Sequence, residues 1–149
     1  MAINENEFYH GAVFSRLFKS KKALKIDIFP IDSKCAYVIN EKIGIYIKHS
    51  TKKISPWRFS FYQHQQDDLY EMKKLCKKVY LILVCWHDGI ASIEFDDLKN
   101  VLDDTHEPIE WISASRMKRE KYTIKGSDGK LKFKIGENEF PRKILENLS

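Results

Sequence analysis

At 149 residues with 43% hydrophobic side chains, the chain has the size and apolar content of one ordinary domain, which excludes general disorder. The longest apolar run, Val79 to Trp86, falls far short of the roughly 20 residues that cross a membrane. The first 18 residues are polar and lack the apolar stretch of a secretory leader, so a single cytoplasmic domain over residues 1–149, without membrane association, is expected. The three cysteines, Cys35, Cys76 and Cys85, are widely spaced among apolar residues and read as reduced core thiols.

In chain order, residues 5–18 read as a helix. Asn4 and Glu7 have the spacing of a capping box, and Tyr9, Val13 and Leu17 form one apolar stripe. Leu24, Ile26 and Ile28 alternate with charged residues as in a half-buried strand. Cys35–Ile39 and Ile43–Lys48 are expected to form a hairpin around Asn40-Glu41-Lys42, with Ile43, Ile45 and Ile47 on one face and Gly44, Tyr46 and Lys48 on the other. Trp57, Phe59 and Phe61 alternate in a further strand. A second helix is expected to start near Asp67-Asp68, with Leu69, Met72, Leu75 and Cys76 as its stripe. The continuous run Val79–Cys85 fits a strand buried on both faces near the middle of a sheet. His87-Asp88-Gly89 turns into a strand over Ile90–Phe95, and a short acidic helix carries Leu98, Val101 and Leu102. Trp111–Ser115 reads as a strand. Tyr122–Ile124 is expected to pair with Leu131–Ile135 across Gly126-Ser127-Asp128-Gly129, whose glycines tolerate positive φ. The fold class is α/β (α+β): a mixed, largely antiparallel sheet with helices packed on it, a C-terminal hairpin and a short terminal segment.

The order helix, three meandering strands, helix, strand over the first 85 residues resembles the core of the PD-(D/E)XK, or restriction-endonuclease-like, superfamily. Tyr9-His10-Gly11-Ala12-Val13 is similar to the small-residue opening of Holliday-junction resolvases. Ile45-Tyr46-Ile47-Lys48 falls where that superfamily carries its (D/E)-x-K strand. The resemblance implies a nuclease-like site in which carboxylates hold Mg²⁺ or Mn²⁺ beside a phosphate and a lysine steadies the attacking water. Carried over, it nominates Lys48 and Asp32 as catalytic residues, with Asp32 also a metal ligand. Tyr46, two residues before Lys48 and on the same strand face, is not a carboxylate, so either the carboxylate has migrated, or the site is degenerate and lacks a complete catalytic set, or the resemblance is accidental.

The charge distribution bears on partners. Residues 19–58 hold ten bases against three acids, residues 88–110 eight acids against one base, and residues 116–134 eight bases against two acids. If Tyr122 and Ile124 face inward, Lys121 and Lys125 face outward; if Leu131, Phe133 and Ile135 face inward, Lys130, Lys132 and Lys134 face outward. Five lysines then share one sheet face, with Arg116, Lys118 and Arg119 just before it. Such a cluster suits phosphates and gives salt-sensitive binding. Lys52, Lys53 and Arg58 add a second basic group beside Trp57, an aromatic able to stack on a base, although Trp57 opens an apolar alternation and reads as core. His87 and Asp88 end the central strand, where ligand sites of α/β folds gather. With no C-x-x-C or H-x-x-x-H spacing, zinc is not indicated. The expectation is a nucleic-acid-associated domain, with DNA or RNA as partner. The alternative is a protein-interaction or accessory module from a phage, plasmid or defence system. The sequence does not specify the oligomeric state.

Overall fold

A computed structural model describes residues 1–148. Helix α1 (Glu5–Phe18) is fixed at its start by the expected capping box: Asn4 Oδ1 accepts from the Glu7 amide at 2.9 Å, and Glu7 Oε1 accepts from the Asn4 amide at 3.2 Å. It buries His10, Val13 and Leu17. Three strands follow as an antiparallel meander, β1 (Ile26–Ile28), β2 (Ala36–Ile39) and β3 (Ile43–Ser50). Asn40 and Glu41 take positive φ (51° and 59°) in the tight β2–β3 turn. Strand β4 (Trp57–Tyr62) then leaves for a second sheet. Helix α2 (Gln63–Leu75) carries the chain back into β5 (Lys78–Cys85), parallel to β3, with Tyr46 opposite Leu81 and Lys48 opposite Leu83.

Strand β6 (Gly89–Glu94) pairs antiparallel with β5 and is followed by the single turn α3 (Phe95–Leu98). Strands β7 (Ile109–Ser115), β8 (Thr123–Gly126) and β9 (Gly129–Lys130) complete the second sheet, and α4 (Glu139–Glu146) ends the chain. The first sheet has the order β1-β2-β3-β5-β6, and the second β4-β7-β8-β9. The expectation of a mixed, mostly antiparallel α+β fold holds, but the strands divide between two sheets. No helix among the described residues is long and apolar enough to cross a membrane.

The two sheets share a core. One face of the first sheet (Tyr46, Leu81, Leu83, Ala91, Ile93) packs with α2 and α3 against the inner face of the second (Trp57, Phe59, Phe61, Ile112, Ala114, Ile124). The other face (Ile43, Ile45, Ile47, Ile82, Val84) lies under α1 and α4. Strand β5 is therefore buried on both sides, as its unbroken apolar run requires. Strand β4 has one buried and one solvent face, as its alternation requires.

Three local expectations need correction. Helix α2 begins at Gln63, not near Asp67: Gln65 Oε1 accepts from the Tyr62 amide at 3.0 Å and closes the first turn, leaving Asp68 inside the helix. Residues 131–135 do not form a strand. Leu131 and Ile135 are both buried while Phe133 between them is exposed, which breaks the period of two; an isolated Tyr122–Ile135 bridge and a hydrogen bond from the Leu131 amide to the Ile124 carbonyl at 3.0 Å remain. The glycines of the β8–β9 turn do not use positive φ. They permit close approach: a Cβ on Gly126 would lie 2.4 Å from the Val101 carbonyl oxygen, and one on Gly129 2.3 Å from that of Asn100.

Candidate nucleic-acid interface

The outer face of the second sheet follows from alternation. With Trp57, Phe59 and Phe61 turned inward, β4 presents Arg58, Ser60 and Tyr62. With Ile112 and Ala114 inward, β7 presents Trp111, Ser113 and Ser115; β8 presents Thr123 and Lys125, and β9 presents Lys130. The register joins Arg58 to Ser113, Ser113 to Lys125, and Lys125 to Lys130 in one row across all four strands. Three cations and no carboxylate occupy this row, which spans three strand spacings, about 14 Å. The Arg58 guanidinium lies over the Trp111 ring, 4.5 Å from its centroid. Tyr62, half exposed, stacks with His64 at the end of the same face.

The basic loops gather at one end of this sheet. Ser55 Oγ accepts from the Arg116 amide at 3.2 Å, which brings the loop before β4 against the loop after β7. Lys52, Lys53, Lys118, Arg119 and Lys121 are all exposed on these two loops. The other end is acidic: Asp103, Glu110 and Asp128 lie there, where Trp111 pairs through its backbone with Ser127.

Several nominated residues take other places. Arg116 is withdrawn from the surface. Its side chain is only 7% exposed; Nε donates to Asp88 Oδ2 at 2.7 Å, Nη2 meets Glu137 Oε2 at 2.7 Å, and the guanidinium covers the Tyr122 ring at 4.3 Å. A cation already held by two carboxylates does not serve phosphates. Asp88 also accepts from the Tyr122 hydroxyl at 2.6 Å, so the end of the central strand is a structural junction. Lys132 and Lys134 are exposed but lie beyond β9, off the sheet row, so the expected five-lysine face is reduced to Lys125 and Lys130 joined by Arg58. Trp57 is buried, and its indole N–H donates to the Lys52 carbonyl at 2.8 Å. The aromatics on the outer face are Trp111 and Tyr62.

Lys48 and Tyr46 lie on the face of β3 that looks toward α2 and β4. Lys48 Nζ donates to Gln65 Oε1 at 3.1 Å and sits 4.9 Å from the Phe61 ring centroid. Burial lowers its pKa from the ordinary lysine value. Burial pushes the Tyr46 phenol up to about 12 despite hydrogen bonding with Ser33 and Gln65, so it stays protonated. Asp32 is exposed on the β1–β2 loop; burial above all, with the charges of Asp67 and Asp32 adding to it, raises the pKa of Asp68 on α2. The charges of Asp32 and Asp68 thus sense one another. Among the described residues, neither belongs to a group of three metal-ligating side chains.

A groove of about 500 Å³ runs between α1 and the ends of β5 and β6, lined by Glu5, Tyr9, Arg16, Trp86, His87 and Ile90 among others. His49 stacks on Tyr9 beside it at 4.3 Å between ring centroids and meets Glu5 Oε2 at 3.3 Å. Comparison of the chain with protein-family models, curated proteins and solved structures gives no match.

Proposed function

We propose that the protein is a nucleic-acid-binding domain that holds single-stranded DNA or RNA on the outer face of its second sheet. The observation that carries this reading is the row Arg58–Ser113–Lys125–Lys130 with Trp111 packed beneath the arginine. Cations in a line answer a phosphate backbone, and an aromatic or guanidinium plane offers a stacking surface to an unpaired base. Small polar side chains between them (Ser60, Ser113, Thr123) leave the face open. The loops with Lys52, Lys53, Lys118, Arg119 and Lys121 extend the positive surface beyond the sheet.

The restriction-endonuclease-like resemblance belongs to the same proposal. What supports it is the first sheet, where a helix, an antiparallel meander, a helix and a strand parallel to the third follow in that order, with β4 of the second sheet interposed before α2. The proposal is for binding. Tyr46 stands where a carboxylate would be needed, and Lys48 is engaged with Gln65. Addition of Mg²⁺ or Mn²⁺ is therefore expected to leave a bound oligonucleotide intact; nicking that disappears in Lys48→Ala would restore Asp32 and Lys48 as a catalytic pair.

The test is fluorescence anisotropy with labelled single strands and duplexes of DNA and RNA over a salt series. Single strands are expected to bind more tightly than duplexes. The slope of log K against log salt is expected to be roughly −2 or steeper, since each neutralised phosphate of a single strand contributes about −0.7. Affinity that is absent at low salt, or indifferent to salt, defeats the reading.

One observation favours a protein-interaction role as a second reading. Strand β1 is an edge of its sheet, with Ile28 73% exposed and Phe18 of α1 55% exposed near it. An open strand edge beside apolar side chains is a template for pairing with another chain. Sedimentation of the purified protein tests it: concentration-dependent association abolished by Ile28→Lys supports the reading, and a monomer at all concentrations opposes self-pairing through this edge.

A further inference from the structure

The acidic end of the second sheet contains an electrostatic arrangement that neither fold nor nucleic-acid binding explains. Glu110 sits on β7 opposite Phe61 and is 2% exposed. No N–H or hydroxyl donates to either of its carboxylate oxygens, and no lysine, arginine or histidine forms an ion pair with it among the described residues; the side chain it meets is another acid, Asp128, and burial together with that contact pushes its pKa up to about 8. A buried carboxylate without donors carries a large desolvation penalty. Instead of a cation, its neighbours are two more acids: ligand oxygens of Asp103, Glu110 and Asp128 all lie within 4.8 Å of one another.

The two aspartates are held in place by backbone contacts. Asp128 Oδ2 accepts from the Asp103 amide at 2.9 Å, and Asp103 Oδ1 accepts from the Thr105 amide at 2.9 Å. One oxygen of each is thus anchored while the other stays available. The Asp128 amide donates to the Val101 carbonyl at 3.0 Å, and the close packing of Gly126 and Gly129 on Val101 and Asn100 seats the whole turn against this segment. Residues far apart in sequence therefore converge through a framework that fixes the backbone of each aspartate.

We infer that Asp103, Glu110 and Asp128 form a binding site for a hard divalent cation. Three carboxylates with no sulfur or imidazole among them select Ca²⁺, Mg²⁺ or Mn²⁺ over softer metals. Water and neighbouring carbonyls would complete the coordination shell. The cation would satisfy the orphaned Glu110 and tie the β8–β9 turn to the segment after α3, which makes the site structural. It includes neither Asp32 nor any residue of the basic loops.

Thermal unfolding of the EDTA-treated protein with added CaCl2, MgCl2 or MnCl2, together with Tb³⁺ luminescence sensitised by the adjacent Trp111, tests the inference. At least one of the three cations is expected to raise Tm by roughly 5 °C or more at a hundredfold excess over its Kd. Tb³⁺ emission should appear and be displaced by that cation. Glu110→Gln and the exposed Asp103→Asn should each lose both responses; the second variant keeps the test open if the first does not fold. A wild-type Tm indifferent to all three cations, with no Tb³⁺ emission, would overturn the inference and mean that the acids are held by a shared proton. Responses that survive in Asp103→Asn and Glu110→Gln would overturn it equally.

Discussion

Three side chains show how burial decides what a charged or titratable group does in this protein. Arg58 is exposed and lies over Trp111, so its charge is available to a ligand. Arg58→Ala is expected to weaken single-strand affinity and flatten the salt slope by about 0.7. Trp111→Ala should cost roughly 1–3 kcal/mol of binding through lost stacking, with circular dichroism confirming that the fold persists. Arg116 is the opposite case. Its guanidinium is buried between Asp88 and Glu137. Arg116→Ala should leave the salt slope unchanged but lower stability in urea by roughly 2–3 kcal/mol, the low end for a broken buried pair because both carboxylates still reach solvent. His10 is the third. Its Nδ1 lies 2.8 Å from the Tyr37 hydroxyl while Nε2 is buried without a partner, and burial, with His49 adding to it, lowers its pKa to about 4. Between about 4 and the unfolded value of 6.5 the unfolded chain binds the proton and the folded chain does not. Stability is therefore expected to fall as pH drops through this window, by up to roughly 3 kcal/mol, and urea titrations of wild type and His10→Phe across pH 4–7 measure the difference.

At the level of elements, close approach and alternation matter more than propensity. Gly129→Ala places a Cβ 2.3 Å from a backbone carbonyl that cannot swing aside. A loss of roughly 2 kcal/mol or more in urea denaturation is expected. Gly11, inside α1 with nothing within 4 Å of a notional Cβ, is the contrast, and Gly11→Ala should stabilise by about 0.5–1 kcal/mol. The same elements show what a sequence can reveal. The capping box of α1, the alternation of β4 and the unbroken apolar run of β5 are local signals, and each produced the expected element. The start of α2 was hidden because its inward residue there is Gln66, a buried polar side chain whose amide donates to the Phe61 and Glu107 carbonyls at 3.0 Å each. Helix α4 was hidden because Pro141 reads as a break, although proline is at home in a first helical turn. The division into two sheets was not legible either: β4 has the same alternation whichever sheet it joins, and its partner β7 begins almost fifty residues later. That Lys125 and Lys130 share a row with Arg58, that Trp111 lies under the arginine and that Arg116 is withdrawn emerge only from pairing and burial.

Across the whole molecule, the second sheet is polarised. Its row of Arg58, Lys125 and Lys130 and the loops of Lys52, Lys53, Lys118, Arg119 and Lys121 are positive, while Asp103, Glu110 and Asp128 crowd the opposite end. Among the described residues, apart from Asp88, which meets Arg116, the acids of the stretch 88–110 form no ion pair with the nominated cations. A strand docked with its backbone along the positive end would be steered away from the acidic end, which gives the interface a direction. Amide and indole chemical-shift mapping with a short single-stranded oligonucleotide at low salt tests this account most directly. It should move the signals of Arg58, Ser60, Trp111, Ser113, Lys125 and Lys130, the Trp111 indole N–H among the largest. Shifts confined to the groove between α1 and Trp86, or none at all, would contradict it.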